Sequence, residues 1–281
     1  MLGLPIPEII IFLSVVLVYF AAAIVGILQL LGGGEKYKLF LSPLVSLAVV
    51  LEAVILIFRA IALKGVPLTG LFESMIVLTI VFAFIYLFFS IAIRQVWFGS
   101  VMVWVILAMI LMAGAIAKPA SEPHKVAATP WAIAHGITMI LGGASIVFAT
   151  ASAFLYLLGS HKLKQKKIMQ VLGRVPNIEK LERMILFGIR TGFVLITIGL
   201  ISGFGLVWLL RTGIFKWLTD PKVICIIGAW ILLGIIQILN RLLLLKGKAR
   251  AYMTTVVFVL VLFAILGATI LGTTIHDFSR N

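Results

Sequence analysis

The sequence has little charge and almost no cysteine. Of its 281 residues, 11% are charged and a single one, Cys225, is a cysteine. One cysteine excludes an internal disulfide framework and a CxxC redox pair. The chain also lacks a Walker A motif, which excludes ATP hydrolysis without a partner. Whatever the protein does, it does without these two kinds of chemistry of its own.

Apolar residues dominate what is present. They make up 63% of the chain, and the mean hydropathy is +1.26. A soluble domain is nearer half apolar and about a quarter charged, so much of this surface must face lipid. Eight apolar runs are long enough to span a bilayer as helices: Glu8–Leu31, Leu39–Leu63, Leu71–Ile93, Trp97–Ala117, Trp131–Leu158, Met184–Leu210, Val223–Leu245 and Ala251–Ile275. We therefore predict an all-α fold, a polytopic bundle of about eight transmembrane helices that forms a single domain over residues 1–281.

The loops between these runs differ in charge. With the N-terminus outside, the inner loops carry about twice as many lysines and arginines as the outer segments, which favours both termini outside. Residues 159–183 contribute most of the excess and are predicted to form a basic cytoplasmic loop. This loop can also be interpreted as a surface for anionic lipid or for a cytoplasmic partner. Because topology explains the net charge of +14, we expect no nucleic acid partner.

Small residues recur at close-packing spacing in two spans. One span carries Gly188, Gly192, Gly199 and Gly203, and the span that begins at Trp131 carries several glycines, alanines and serines. Small faces let helix backbones approach each other in a membrane. We expect these two spans to be buried in the bundle.

Three of the four histidines map to the outer side. His124 falls in an outer loop, and His135 and His276 fall at the outer ends of two spans, whereas His161 lies in the basic loop. Two neutral imidazoles at similar depth on different helices can hold a metal or a haem iron from both faces. The alternative is that each histidine caps its own helix end. No cluster of acidic residues accompanies them, so a zinc site is poorly supported.

The outer loop from Arg211 to Lys222 reads RTGIFKWLTDPK. It can be an interfacial aromatic belt with a short amphipathic turn. It can also be a platform where Trp217 stacks on a flat ligand while Lys216 and other cations meet carboxylates.

Several ionisable residues fall within or next to the spans, among them Glu52, Arg59, Glu73 and Arg190. Charge in hydrocarbon is expensive, so such groups usually face the bundle interior and find partners. Two interpretations stay open: an internal ion pair with a structural role, or the lining of a substrate path.

Several segments resemble a known family in their order along the chain. GVPLTGLFESM (Gly65–Met75), the helix from Trp131 to Leu158, GLISGF (Gly199–Phe204), WLTDPK (Trp217–Lys222) and LGTTIHDF (Leu271–Phe278) resemble segments of the CcsA-type cytochrome c assembly proteins. That superfamily includes CcsA, CcmC, CcmF and the HemX-type proteins, and it handles haem.

The resemblance implies a haem, as haem b, at the outer face between two histidines and over a tryptophan-rich loop. From their positions in the matching segments, His135 and His276 are the implied axial ligands. Trp217 and Asp220 are the loop residues that this sequence shares with the family. Trp131, Lys216 and His124 complete the candidate haem-binding set. The loop departs from the family's WxWD core because Thr219 replaces a tryptophan. Gly65 and Asn240 stand where CcsA members place histidines inside the membrane, so we do not expect a full cytochrome c synthetase. The length, the eight spans and the altered loop are closer to HemX-like proteins.

We expect a haem-handling protein of the bacterial cytoplasmic membrane that is not an enzyme and has no catalytic residues. Its partners are predicted to be haem and membrane lipid. Two alternatives are a regulator that binds glutamyl-tRNA reductase through the basic loop, and a subunit of a cytochrome c assembly complex.

Overall fold

The structure, a computed structural model, describes residues 4–29, 38–65, 70–92, 96–116, 119, 129–164, 177–211 and 213–267. Within these ranges the regular structure is helical, and no β-strand occurs. The helices are α1 Ile6–Leu28, α2 Lys38–Leu63, α3 Leu71–Ala92, α4 Val96–Ile116, α5 Pro130–Lys164, α6 Ile178–Leu210, α7 Ile214–Leu218, α8 Pro221–Arg241 and α9 Gly247–Leu262, with a π-helical turn at Phe263–Gly267.

Seven of these helices are long and apolar enough to cross a membrane, counted over the described ranges: α1, α2, α3, α5, α6, α8 and α9. In α4 the apolar stretch Gly99–Ala115 is slightly shorter. The prediction of an all-α polytopic bundle is thereby confirmed, and the chain is a multi-pass membrane protein. The single domain and the outward orientation of both termini stay predictions.

Two helices, α5 and α6, extend furthest beyond the predicted spans. α5 continues to Lys164 and α6 begins at Ile178, so both ends of the predicted basic loop are helical, and residues 165–176 lie outside the described ranges. The charges around Glu182 limit how far α6 can enter a membrane, but they do not oppose helix formation. The Asn177 side chain starts α6 by accepting a hydrogen bond from the backbone N–H of Glu179 at 3.1 Å.

The chain divides into two compact units, each described separately. Unit 1 comprises Met1–Pro123 and Leu158–Lys180, and unit 2 comprises His124–Leu157 and Leu181–Asn281.

In unit 1, helices α1 and α3 each pack against both α2 and α4. The contact between α1 and α4 is close at Gly26, where an added Cβ would lie 3.2 Å from the Cα of Ser100. The Ser100 hydroxyl donates to the carbonyl oxygen of Gly26 at 2.8 Å. A small residue thus lets one helix reach the backbone of the next, as is common in membrane bundles.

In unit 2, α5 and α6 pack through the predicted small faces. A Cβ at Gly188 would lie 2.8 Å from both the Ala149 Cβ and the Ser145 carbonyl oxygen, and one at Gly192 would lie 2.7 Å from Ile146 Cδ1.

Helix α6 also packs against α8. The Phe193 and Trp230 rings stack with centroids 5.7 Å apart, and the indole N–H of Trp230 donates to the Thr197 hydroxyl at 2.8 Å. Helices α8 and α9 pack together, and the π-helical turn contacts both.

Candidate functional site

The first two turns of α5 carry two of the predicted site residues. Thr129 accepts a hydrogen bond from the N–H of Ala132 at 3.3 Å, and Pro130 occupies the first helical position, so the sequence fixes where α5 begins. Trp131 and His135 are four residues apart and therefore share one helix face. His135 is half-buried and Trp131 is 46% exposed.

The imidazole of His135 is oriented by the backbone of α6. Its Nδ1 lies 2.8 Å from the carbonyl oxygen of Gly199. A carbonyl oxygen can only accept, so Nδ1 carries the hydrogen and donates it. In a neutral ring the lone pair is then on Nε2, which is the arrangement that metal-binding histidines usually have.

Glycines on α6 make room for the rings of α5. A Cβ at Gly203 would lie 3.0 Å from the Nδ1 and Cε1 of His135 and 3.8 Å from Cζ2 of Trp217. A Cβ at Gly205 would lie 2.6 Å from the Trp131 ring. These glycines therefore form a cradle for an imidazole and an indole, and any larger residue would disturb it.

Trp217 lies next to this cradle at Gly203. It lies on α7, a five-residue helix between α6 and α8, and it is half-buried. Its ring meets Phe204 edge-on, with centroids 6.4 Å apart. The structure thus brings Trp131, His135 and Trp217 to one end of unit 2, where α5 begins and α6 ends.

The charged residues of the 211–222 segment take two different positions. Arg211 and Lys216 are exposed, beside Phe215, which is 85% exposed. Asp220 is buried at 2% exposure and caps α8: its carboxylate accepts from the backbone N–H of Lys222 at 2.8 Å, ahead of Pro221 at the first helical position. The structure therefore gives Asp220 a structural position at the edge of the site.

Two of the predicted ligands, His124 and His276, lie outside the described residues. Within the described ranges, no group of three or more His, Cys, Asp or Glu side chains could hold a metal ion.

The sequence pattern did not predict that some glycines of α6 face the site. The spacing of Gly199 and Gly203 indicated helix packing, and at Gly188 and Gly192 packing is what the structure shows. Gly205 stands outside the four-residue spacing. The signal that could have separated the two roles is position, since Gly203 and Gly205 lie at the level of His135 and Trp131 on the neighbouring helix.

The buried polar residues of unit 1 pair differently from what their spacing along α2 suggests. Arg59 forms ion pairs with Glu73, Nε to Oε1 at 2.7 Å, and with Glu8, Nη1 to Oε2 at 3.6 Å. Glu52 instead accepts a hydrogen bond from the Tyr19 hydroxyl at 3.0 Å. Arg190 is exposed on α6. An internal ion pair is therefore present, but it joins three helices and leaves Glu52 out.

A comparison with family models matches residues 68–276 to the family described as cytochrome C assembly protein. The match covers well over half of the chain and includes every described residue of the candidate site. Neither the curated proteins nor the solved structures contain a significant match to the chain.

Proposed function

The chain belongs to the cytochrome c assembly protein family, and from that premise we propose that it binds haem at the outer face of the membrane and delivers it outward. Family membership supports a haem-handling role in cytochrome c maturation. The end of unit 2 where α5 begins is the place we assign to the haem. By the loop charges, this end faces outside.

The orientation of His135 carries this proposal. Its Nδ1–H is held by the Gly199 carbonyl, so Nε2 has the lone pair that an iron needs. His276, at the end of the last predicted span, is proposed as the second ligand. If haem b binds here, it would supply an iron that His135 and His276 would hold, and no covalent bond to the chain would be required.

Aromatic and basic residues fit the rest of a haem. Trp131 and Trp217 supply flat apolar surfaces next to His135, suited to contact with a porphyrin. Lys216, Arg211 and Lys222 belong to the same short segment as Trp217, and their positive charge matches the negative charge of the haem propionates. In this proposal Asp220 acts by starting α8 and so placing Trp217.

An absorption spectrum tests the site. The protein is purified in mild detergent and titrated with haem, beside the variants His135→Ala and His276→Ala. We expect a Soret band that sharpens and visible bands that split on reduction in the native chain, lost in both variants. His161→Ala is the matched control, because this exposed histidine lies at the opposite end of α5.

Three outcomes separate the alternatives. If the protein stays colourless in excess haem, the proposed haem site is wrong. Retained binding in His276→Ala together with loss in His124→Ala would assign the second ligand to His124. Retained binding in His135→Ala would remove the residue on which the site depends.

The basic segment 159–183 favours a second function, a regulator that binds glutamyl-tRNA reductase at the inner face. In that case, replacement of the segment's lysines by glutamine abolishes regulation and leaves the haem spectrum intact. Binding to other cytochrome c assembly proteins is the remaining proposal for a partner. Co-purification of such a protein with the native chain supports it.

A further inference from the structure

The interior of unit 1 carries more negative than positive groups. The buried ionisable residues that the structure describes there include three glutamates, Glu8, Glu52 and Glu73, and one arginine, Arg59. If all three carboxyls were ionised, the one arginine would balance a single negative charge and leave two in excess. An uncompensated charge inside an apolar bundle is far more costly than a neutral polar group.

The contacts of Arg59 show which carboxylates its positive charge stabilises. Arg59 is within hydrogen-bonding distance of Glu73, and Glu8 lies within ion-pair distance of the same guanidinium. All three lie near helix ends, and Glu8 and Glu73 stand in the first turns of α1 and α3, where the helix dipole favours negative charge. Glu52 has none of these supports.

Glu52 lies near the middle of α2, about 10 Å from Arg59 along the helix axis. It is 0% exposed. The Tyr19 hydroxyl donates to Oε2, and Oε1 has no hydrogen-bond partner. The hydroxyl of Thr79 also lies close to the Glu52 carboxyl, but it donates its hydrogen to the backbone carbonyls of Met75 and Ile76 within α3. One hydroxyl donor is too little to stabilise a buried carboxylate, which usually needs two or three donors or a positive partner.

We propose that Glu52 is a proton-binding site in the interior of the four-helix unit. Water at the membrane face supplies the proton, which binds to Oε1 and converts the carboxylate to a neutral carboxylic acid. The Tyr19 hydroxyl continues to donate to Oε2, which is then the carbonyl oxygen. This site lies in unit 1 and is independent of the proposed haem site in unit 2.

A proton fits this site better than a metal cation. Ca²⁺ and Mg²⁺ take about six or more oxygen ligands, whereas only one carboxyl and the hydroxyls of Tyr19 and Thr79 are described at this position. Among the described side chains of the packed helices, the charged groups besides Glu52 are Glu8 on α1, Arg59 on α2 and Glu73 on α3, and those of α4 include no ionisable group. Because Arg59 is engaged by two carboxylates, it does not neutralise Glu52.

Infrared spectroscopy of the full chain in lipid vesicles tests the proposal. At neutral pH we expect the carbonyl-stretch band of a protonated carboxylic acid, which moves to lower frequency in D₂O. The band should be lost in Glu52→Gln, which keeps the size of the side chain. It should persist in Glu179→Gln, the matched control at an exposed glutamate.

A second variant keeps the test decisive if Glu52→Gln does not fold. Tyr19→Phe retains the carboxyl and removes its hydrogen-bond donor, so the acid band should shift to higher frequency. A spectrum without an acid band would show that Glu52 is ionised. If the band remains in Glu52→Gln, or if its frequency does not change in Tyr19→Phe, the proton is bound to another residue. Any of these results overturns the proposal.

Discussion

The Nδ1 of His135 and the carbonyl oxygen of Gly199 are 2.8 Å apart, so the imidazole on α5 is tied to the backbone of α6. The Ser202 hydroxyl donates to the same carbonyl at 3.0 Å. A side chain held by a neighbouring helix backbone has little freedom to rotate. The ligand orientation in our proposal is thus a property of how α5 and α6 pack.

Substitution of Gly203 by alanine should weaken haem binding. The added Cβ would lie 3.0 Å from the imidazole, which must move by a few tenths of an ångström. We expect the haem affinity measured by absorbance titration to fall about tenfold, or about 1.4 kcal/mol. Gly136→Ala is the control, because nothing lies within 4 Å of a Cβ there. Equal affinity in both variants would mean that the cradle at Gly203 does not matter for haem.

The role of Asp220 can be separated from that of a haem ligand. Asp220→Ala removes the cap of α8 and should lower the free energy of unfolding by about 1 kcal/mol, whereas Asp220→Asn keeps a capping oxygen. Thermal melts in detergent measure the stability, and haem titration measures the binding. If Asp220 acts only by starting α8, Asp220→Asn binds haem like the native chain. A colourless Asp220→Asn that melts normally would assign the carboxylate a direct role.

The Thr197→Val variant should be less stable. Valine has nearly the same shape, but it leaves the indole N–H of Trp230 without its acceptor. A fully buried donor left unpartnered costs about 1–3 kcal/mol, and because Trp230 is half-buried we expect a cost near the lower end of that range. The melting temperature should fall, and it should fall much less in Thr219→Val, where the hydroxyl belongs to an exposed residue directly after α7. Equal melting temperatures would show that water replaces the lost acceptor.

Gly188→Ala should destabilise the α5–α6 contact more than Gly203→Ala does. Its Cβ would lie 2.8 Å from the Ser145 carbonyl oxygen, and a backbone atom cannot move aside by changing rotamer. Overpacking of this kind costs about 1–3 kcal/mol. Denaturation in a mixed-micelle series compares the two variants. A Gly188→Ala protein as stable as the native chain would show that the helices separate at no cost.

The helices could be predicted from the sequence because each apolar run is long and the loops are short. The C-terminal end of α5 and the N-terminal end of α6 were not predicted correctly. Hydropathy identifies only the part of a helix that lipid can surround, whereas the helix itself continues into water until a capping residue ends it. The positions of His135 and Trp217 near one another followed from the family resemblance. Their contacts with Gly203 depend on the rotation of α6 about its axis, which hydropathy does not report.

Pairing inside unit 1 could not be predicted for a related reason. The seven-residue spacing of Glu52 and Arg59 places them on one face of α2 but two turns apart. Their partners come from α1 and α3, at levels set by how the three helices are shifted along each other. Tyr19 gave no signal as a hydrogen-bond donor, because one tyrosine in an apolar run is common in membrane helices.

The close packing of α6 against α5 also limits which substitutions this sequence can accept during evolution. Gly188, Gly192 and Gly203 each touch atoms of α5 that a methyl group would displace. A codon change that replaces any of these glycines adds at least that methyl group. Lineages that keep the histidine at 135 should therefore keep glycine at 203, while position 136 drifts freely. A set of related sequences would reveal this difference as unequal substitution rates at two glycines on facing helices.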